Sequence, residues 1–214
     1  MLPLKTHNGK NKRLILCVTG PMAAGKNAAA AILEKKGFVC ADADILAHQA
    51  LEKVNDAVVT QFKKLAEEKN IQLTDVNGKI IRRNLGQLIF GSKELVEAHE
   101  KIIFPEINRL IEEFAEKNAD TDIVINAAVL YKVPFIKKCD AVLYVDSPLI
   151  QRLFRARKRD GMPFSLILNR FKSQKNLFAK YKNSNADIRR VRNTGTLLNL
   201  EKKIDVFLKK LYED

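Results

Sequence analysis

Residues 14–37 read LILCVTGPMAAGKNAAAAILEKKG, and this stretch decides the fold. Leu14 to Thr19 is a short, unbroken apolar run. Such a run fits a strand buried on both faces, as inside a parallel sheet. Four alanines, Ala28 to Ala31, then favour a helix, and Gly37 suits the position just past its end. Between strand and helix stand Gly20, Pro21, Met22, Ala23, Ala24, Gly25 and Lys26, a G-x-x-x-x-G-K run. Glycines and small residues let backbone N–H groups turn inward around phosphate oxygens. The helix that follows points its positive end at the same place, and the lysine adds a point charge for the outer phosphates. Strand, loop and helix together read as a nucleotide-binding phosphate loop.

One position departs from the general pattern. A serine or threonine hydroxyl usually follows the lysine and binds Mg²⁺, but here Asn27 and Ala28 follow. An amide oxygen coordinates Mg²⁺ too, on a longer side chain. Either Asn27 substitutes as a ligand, or waters and other groups hold the metal, or activity is impaired. On the impaired reading, Asn27→Ser raises activity or Mg²⁺ affinity; the opposite result marks Asn27 as an adapted ligand.

Further along, Phe38 to Ala41 is a second strand, ending at Asp42-Ala43-Asp44. Ligands of parallel sheets bind beyond the carboxyl ends of strands. If the segment stays extended, alternation sends both carboxylates to similar sides. One of them would accept a proton from an attacking hydroxyl or hold a metal's water. Asp44 reads equally well as the N-cap of the next helix.

Residues 44–118 are mostly helical in pattern, too long for a simple crossover. Ile123 to Leu130 and Ala141 to Asp146 are buried strands, and Ile188 to Val191 is a short fifth. A last helix runs from Thr196 to Leu211, with apolar residues at helical spacing. Alternating strands and helices give an α/β fold: a P-loop NTPase-type parallel sheet flanked by helices, with a helical insertion and a helical lid. The expected division is a nucleotide-binding core of residues 1–57 and 119–214, with its lid at about 148–176, and a helical subdomain of residues 58–118.

From Pro148 to Lys175 there are eight Lys and Arg residues and one acid, Asp160. Arg152, Arg155 and Arg159 share one helix face, and Gly161-Met162-Pro163 ends that helix. Two helices with arginines aimed one way read as a lid over a polyphosphate. A solvated basic face is the plainer alternative.

Composition sets the outer bounds. The 214 residues are 46% hydrophobic and 29% charged, which supplies a core and excludes a disordered chain. No apolar run approaches the roughly 20 residues that span a bilayer. Residues 1–12 read as a polar, frayed tail without the apolar segment of a secretory signal, so a cytoplasmic location is expected. The net charge of +13 favours polyanionic partners. Cys17, Cys40 and Cys139 cannot all pair, and His7, His48 and His99 lack metal-ligand spacing, which argues against structural zinc.

In this order and spacing, the motifs resemble the dephospho-coenzyme A kinases, a P-loop kinase family, over nearly the whole chain from Leu14 to Leu211. The shared pieces are TGPMAAGK, Asp42-Ala43-Asp44, and DVNGKIIRRNLGQLIF with Gly78, Arg82, Arg83 and Leu85. They continue through Gln151 to Gly161, Arg170, Gln174, Ala186-Asp187 and Asn193-Thr194-Gly195. The resemblance implies transfer of the ATP γ-phosphoryl to the ribose 3′-hydroxyl of dephospho-CoA, the last step of coenzyme A synthesis. It implies Asp42 as the base and Lys26 and Arg155 on phosphate. ATP would lie against the loop through Ala28, with Arg155, Arg159, Asn193 and Gly195; Asp42, Asp44, Arg82 and Phe104 would face the acceptor. ATP and Mg²⁺ are the implied small molecules, with no nucleic-acid or membrane partner and a monomeric chain. Besides Asn27-Ala28, Phe104-Pro105 replaces a usual His-Pro, and Ala128 to Lys132 replaces Pro-Leu-Leu-Phe-Glu. These departures keep two alternatives open: a divergent or inactive nucleotide-binding protein, and a kinase for another small nucleotide-like acceptor. A nucleic-acid-binding module rests on charge alone, and the basic helix lacks interleaved aromatics.

Overall fold

The structure, a computed structural model, describes residues 13–184 and 186–213. The frayed tail expected over residues 1–12 lies outside the described residues. Five strands, β1 (Ile15–Thr19), β2 (Val39–Asp42), β3 (Ile123–Asn126), β4 (Ala141–Asp146) and β5 (Ile188–Arg192), form one parallel sheet in the order β2-β3-β1-β4-β5. Every pairing is parallel. The carboxyl ends of β1, β2 and β3 therefore meet at one edge of the sheet.

The helices are α1 (Lys26–Lys35), α2 (Ala43–Lys53), α3 (Asn55–Glu68), α4 (Arg82–Ile89), α5 (Lys93–Lys117), α6 (Leu149–Asp160), α7 (Phe164–Ser173), α8 (Leu177–Lys182) and α9 (Leu197–Glu213). Leu14, Leu16 and Val18 alternate onto one sheet face and pack with Ala29, Ile32 and Leu33 of α1 and Leu200, Ile204 and Phe207 of α9. Burying side chains of this size contributes about 1.5–3 kcal/mol each. On α8, Tyr181 accepts the Leu130 N–H at 2.9 Å, and Phe178 meets Tyr144 of β4 edge-on at 4.9 Å. Continuous apolar strands follow from this double cover.

Two compact units partition the chain: residues 13–42 with 114–213, and residues 43–113. The sequence placed these boundaries at 57/58 and 118/119. Helix α2 follows β2 without a break and contacts α3, so it belongs with the insertion, and the second boundary falls inside α5. The third apolar run is also shorter as a strand than expected. β3 stops at Asn126, and short 3₁₀ turns at Leu130–Lys132 and Pro134–Lys138 follow, with Leu130, Phe135 and Ile136 buried regardless. No described helix is long and apolar enough to cross a membrane.

In the unit of residues 43–113, the buried Nε2 of His99 has no partner among the described residues, and its ring lies 6.4 Å from that of Phe62. Burial lowers its pKa below the ordinary 6.5. The stability held by neutral His99 is therefore complete above the unfolded-state value near 6.5. It is lost as pH falls through the lower folded-state value. His99→Leu should flatten this acid limb: the melting temperature should fall less between pH 7.5 and pH 5 than in the unchanged protein. An equal fall in both proteins would refute the assignment.

Candidate active site

The phosphate loop has the backbone its residue types require. Gly20 has φ of 152° and Gly25 has φ of 110°, both in a region that L side chains rarely adopt. A Cβ on Gly20 would fall on the Val145 carbonyl oxygen, and one on Gly25 on the Asn193 amide nitrogen. Between them, Ala23 has φ of 60°, a left-handed conformation that costs a non-glycine residue about 1–2 kcal/mol. Strain of this kind persists where surrounding contacts impose it, and it collects at ligand-binding loops. Gly25 occupies the N-cap of α1 without a side-chain cap, so no side chain takes the place of an anion at this helix end.

Three further segments hold the loop. Asn193, buried after β5, donates its Nδ2 to the Ala24 carbonyl at 2.9 Å, while its own N–H bonds the Asp146 carbonyl at 2.6 Å. Arg152 of α6 donates Nε to the Met22 carbonyl at 2.9 Å and stacks over Phe171 at 4.2 Å. Gln174 accepts the Met22 N–H at 2.6 Å. Met22 and Ala23 also pack against the small core of Ala156, Ile167 and Phe171.

This corrects the reading of the basic helix. Arg152, Arg155 and Arg159 do not act alike. Arg152 is buried, its pKa lowered by desolvation, and is committed to the loop backbone. Arg159 is exposed and pairs with Asp160 at 2.6 Å. Arg155 lies between them in role: Nη1 donates to Ser147 Oγ at 3.1 Å and Nη2 reaches the Asn193 carbonyl at 3.5 Å, beside the residue that grips the loop. Gly195 is exposed.

At the carboxyl edge, Asn126 pairs in register with Val18 of β1 and with Asp42 of β2. Its Nδ2 donates to Asn27 Oδ1 at 3.1 Å and to Asp42 Oδ2 at the long distance of 3.5 Å. Lys26 opens α1 half-buried, near enough to favour the thiolate of Cys17. Burial dominates there and pushes the Cys17 thiol up to about 12; burial likewise holds Cys40 at about 11. Neither thiol is a nucleophile at neutral pH.

The expected extended Asp42-Ala43-Asp44 segment does not occur. The chain turns helical at Ala43, so alternation no longer relates the two carboxylates. Asp44 sits inside the first turn of α2, where the helix dipole favours an acid, and is not the N-cap. In the unit of residues 43–113, exposed Arg82 begins α4 and lines a cavity of about 330 Å³ with His48, Leu51, Glu52, Asn55, Lys79 and Ile80. Phe104 is half-buried within α5. Lys132 is exposed at the end of its 3₁₀ turn. Sequence reasoning passed over Asn126 and Ser147, although Asn126 ends β3 and Ser147 follows β4 at the ligand-binding edge. That position had singled out Asp42.

A sequence model described as dephospho-CoA kinase matches residues 14–197. The chain belongs to the dephospho-CoA kinase family. A curated dephospho-CoA kinase of Treponema denticola is 37% identical over 196 residues, covering 89% of this chain and 87% of the relative. One of Treponema pallidum is 34% identical over 197 residues, covering 91% and 93%. A crystal structure from Thermus thermophilus superposes with a TM-score of 0.76 at 27% identity, over 94% of this chain and 98% of that one. The family match spans the phosphate loop, Asp42, Asn126, Arg155 and Asn193, and so covers the residues that the fold gathers at the sheet edge.

Proposed function

We propose that this chain transfers the γ-phosphoryl group of ATP to the ribose 3′-hydroxyl of dephospho-CoA. The observation that carries the reading is the strained, uncapped loop of Gly20 to Lys26, followed by Asn27, which Asn126 links to Asp42 at the end of β2. Loop N–H groups and Lys26 bind the phosphates, and Arg155 and Asn193 hold the lid side of the nucleotide. Asp42 takes the proton of the 3′-hydroxyl as its oxygen bonds to the γ-phosphorus and the bond from that phosphorus to the β-phosphate oxygen breaks.

The side chains at this edge suit Mg²⁺. Asn27 Oδ1 and Asp42 Oδ2 share one donor, Asn126 Nδ2, and hard oxygens are what Mg²⁺ prefers, with several of its own waters retained. Asn27 would hold it, directly or through water, on the side of the loop that faces Asp42. When bound, the ion neutralises charge on the transferring phosphates.

Residues 43–113 are proposed to engage the acceptor. The cavity beside Arg82 carries Lys79 as well as Glu52, so its charged side chains sum to a net positive lining suited to the acceptor's pyrophosphate. Arg82→Ala should raise the acceptor KM by about tenfold, the equivalent of roughly 1.4 kcal/mol, while leaving ATP affinity unchanged. Unchanged acceptor KM would remove Arg82 from the acceptor site. A cytoplasmic, monomeric enzyme without nucleic-acid partners completes the proposal. Its direct test is ATP turnover with dephospho-CoA and Mg²⁺, beside a panel of nucleosides and nucleotides as acceptors. Phosphorylation of a panel member in preference to dephospho-CoA would overturn it, as would ATP binding without turnover.

A further inference from the structure

We propose that Asn126 is a positioning residue for Mg²⁺-linked nucleotide binding, forming with Asn27 a matched pair in place of the usual loop hydroxyl. The inference rests on the kinase reading above and adds Asn126, to which that reading gives no part in the transfer. Asn126 ends the apolar strand Ile123–Asn126 and is only 5% exposed. Its Oδ1 is buried without a partner among the described residues. An amide in that state is a poorer occupant than an apolar side chain of equal size, because its carbonyl has left water and gained nothing. Stability therefore does not account for this asparagine.

Its other end does. Nδ2 carries two hydrogens, and they face Asn27 Oδ1 at 3.1 Å and Asp42 Oδ2 at 3.5 Å. The carboxylate oxygen accepts only, which fixes the amide with nitrogen toward it and Oδ1 away. Asn27 is exposed, and its side chain has one more rotatable bond than a serine hydroxymethyl group. The bond from Asn126 removes that freedom and keeps the Asn27 oxygen on the Asp42 side of the loop. A serine at position 27 is too short to receive this bond and would leave the Asn126 amide only its long contact with Asp42. Asn27→Ser is therefore expected to weaken the site, the reverse of the gain expected if Asn27 merely impaired it.

The test is ATP binding by calorimetry, in excess Mg²⁺ and in EDTA, for Asn27→Ser, Asn126→Leu and the double variant, with thermal unfolding of each. The readout is the ratio of the two affinities, which needs no acceptor and no turnover. Each single change should lower the ratio by about tenfold, and the double change also by about tenfold, because the two residues act as one. Asn126→Leu should melt no lower than the unchanged protein. If Asn126→Leu does not fold, Asn126→Ala takes its place for the affinity ratio alone, since the cavity it leaves lowers the melting temperature by itself. A ratio that stays at the original value in the Asn126 variant, rises in Asn27→Ser, or falls about a hundredfold in the double variant overturns the pairing. Absence of ATP binding by the unchanged protein would instead overturn the kinase reading.

Discussion

Lys26→Ala should lower kcat/KM for phosphoryl transfer by about 10³-fold, a loss typical of removing a charge aimed at the transferring group. The fold should survive. Lys26 is the first residue of α1, alanine is the better helix former, and the loop geometry is imposed by Val145, Asn193 and Arg152, not by the lysine side chain. The melting temperature should stay close to that of the unchanged protein, and circular dichroism should match. Steady-state kinetics on the folded variant decide the matter. An unchanged kcat/KM would remove the phosphate-loop assignment and with it the kinase reading.

Asp42→Asn should leave ATP affinity nearly intact and lower kcat by on the order of 10²-fold or more, as when a positioned base is lost. The substitution is nearly isosteric. An asparagine carbonyl still accepts from Asn126 Nδ2, so the strand edge is kept while the proton acceptor is lost. Calorimetry for ATP alongside turnover at saturation separates the roles. Weakened ATP binding with normal saturated turnover would mean that this carboxylate holds the nucleotide or its metal and is not the base.

The sheet was legible in the sequence because burial on both faces leaves an unbroken apolar run, and Ala141 to Asp146 emerges with the bounds read from it. The same signal overran at Ile123 to Leu130. Leu130 is as buried in a 3₁₀ turn as it would be in a strand, and hydrophobicity records burial without recording conformation. Helix α8 went unread because six residues carry too little periodicity to announce a helix. At the site, the loop was legible because its chemistry is local in sequence. The basic helix was only half legible. Spacing shows that Arg152, Arg155 and Arg159 share a stripe, but a stripe does not reveal which guanidinium turns inward to a carbonyl 130 positions away. Asn126 is the same lesson at the other extreme. Its role depends on two partners, 99 and 84 positions away, that only strand order brings together.

Met22 offers the lid both of its main-chain groups, the N–H to Gln174 and the carbonyl to Arg152. Loop and lid are thereby thermodynamically linked. Any state in which α6 and α7 swing away is also one in which the loop loses two of its ties, so opening the lid costs the loop part of its support. Linkage is reciprocal: whatever free energy a bound nucleotide contributes to holding the lid, the lid contributes to holding the nucleotide. The loop's affinity is thus set in part from the far side of the chain, by residues that need never touch a phosphate.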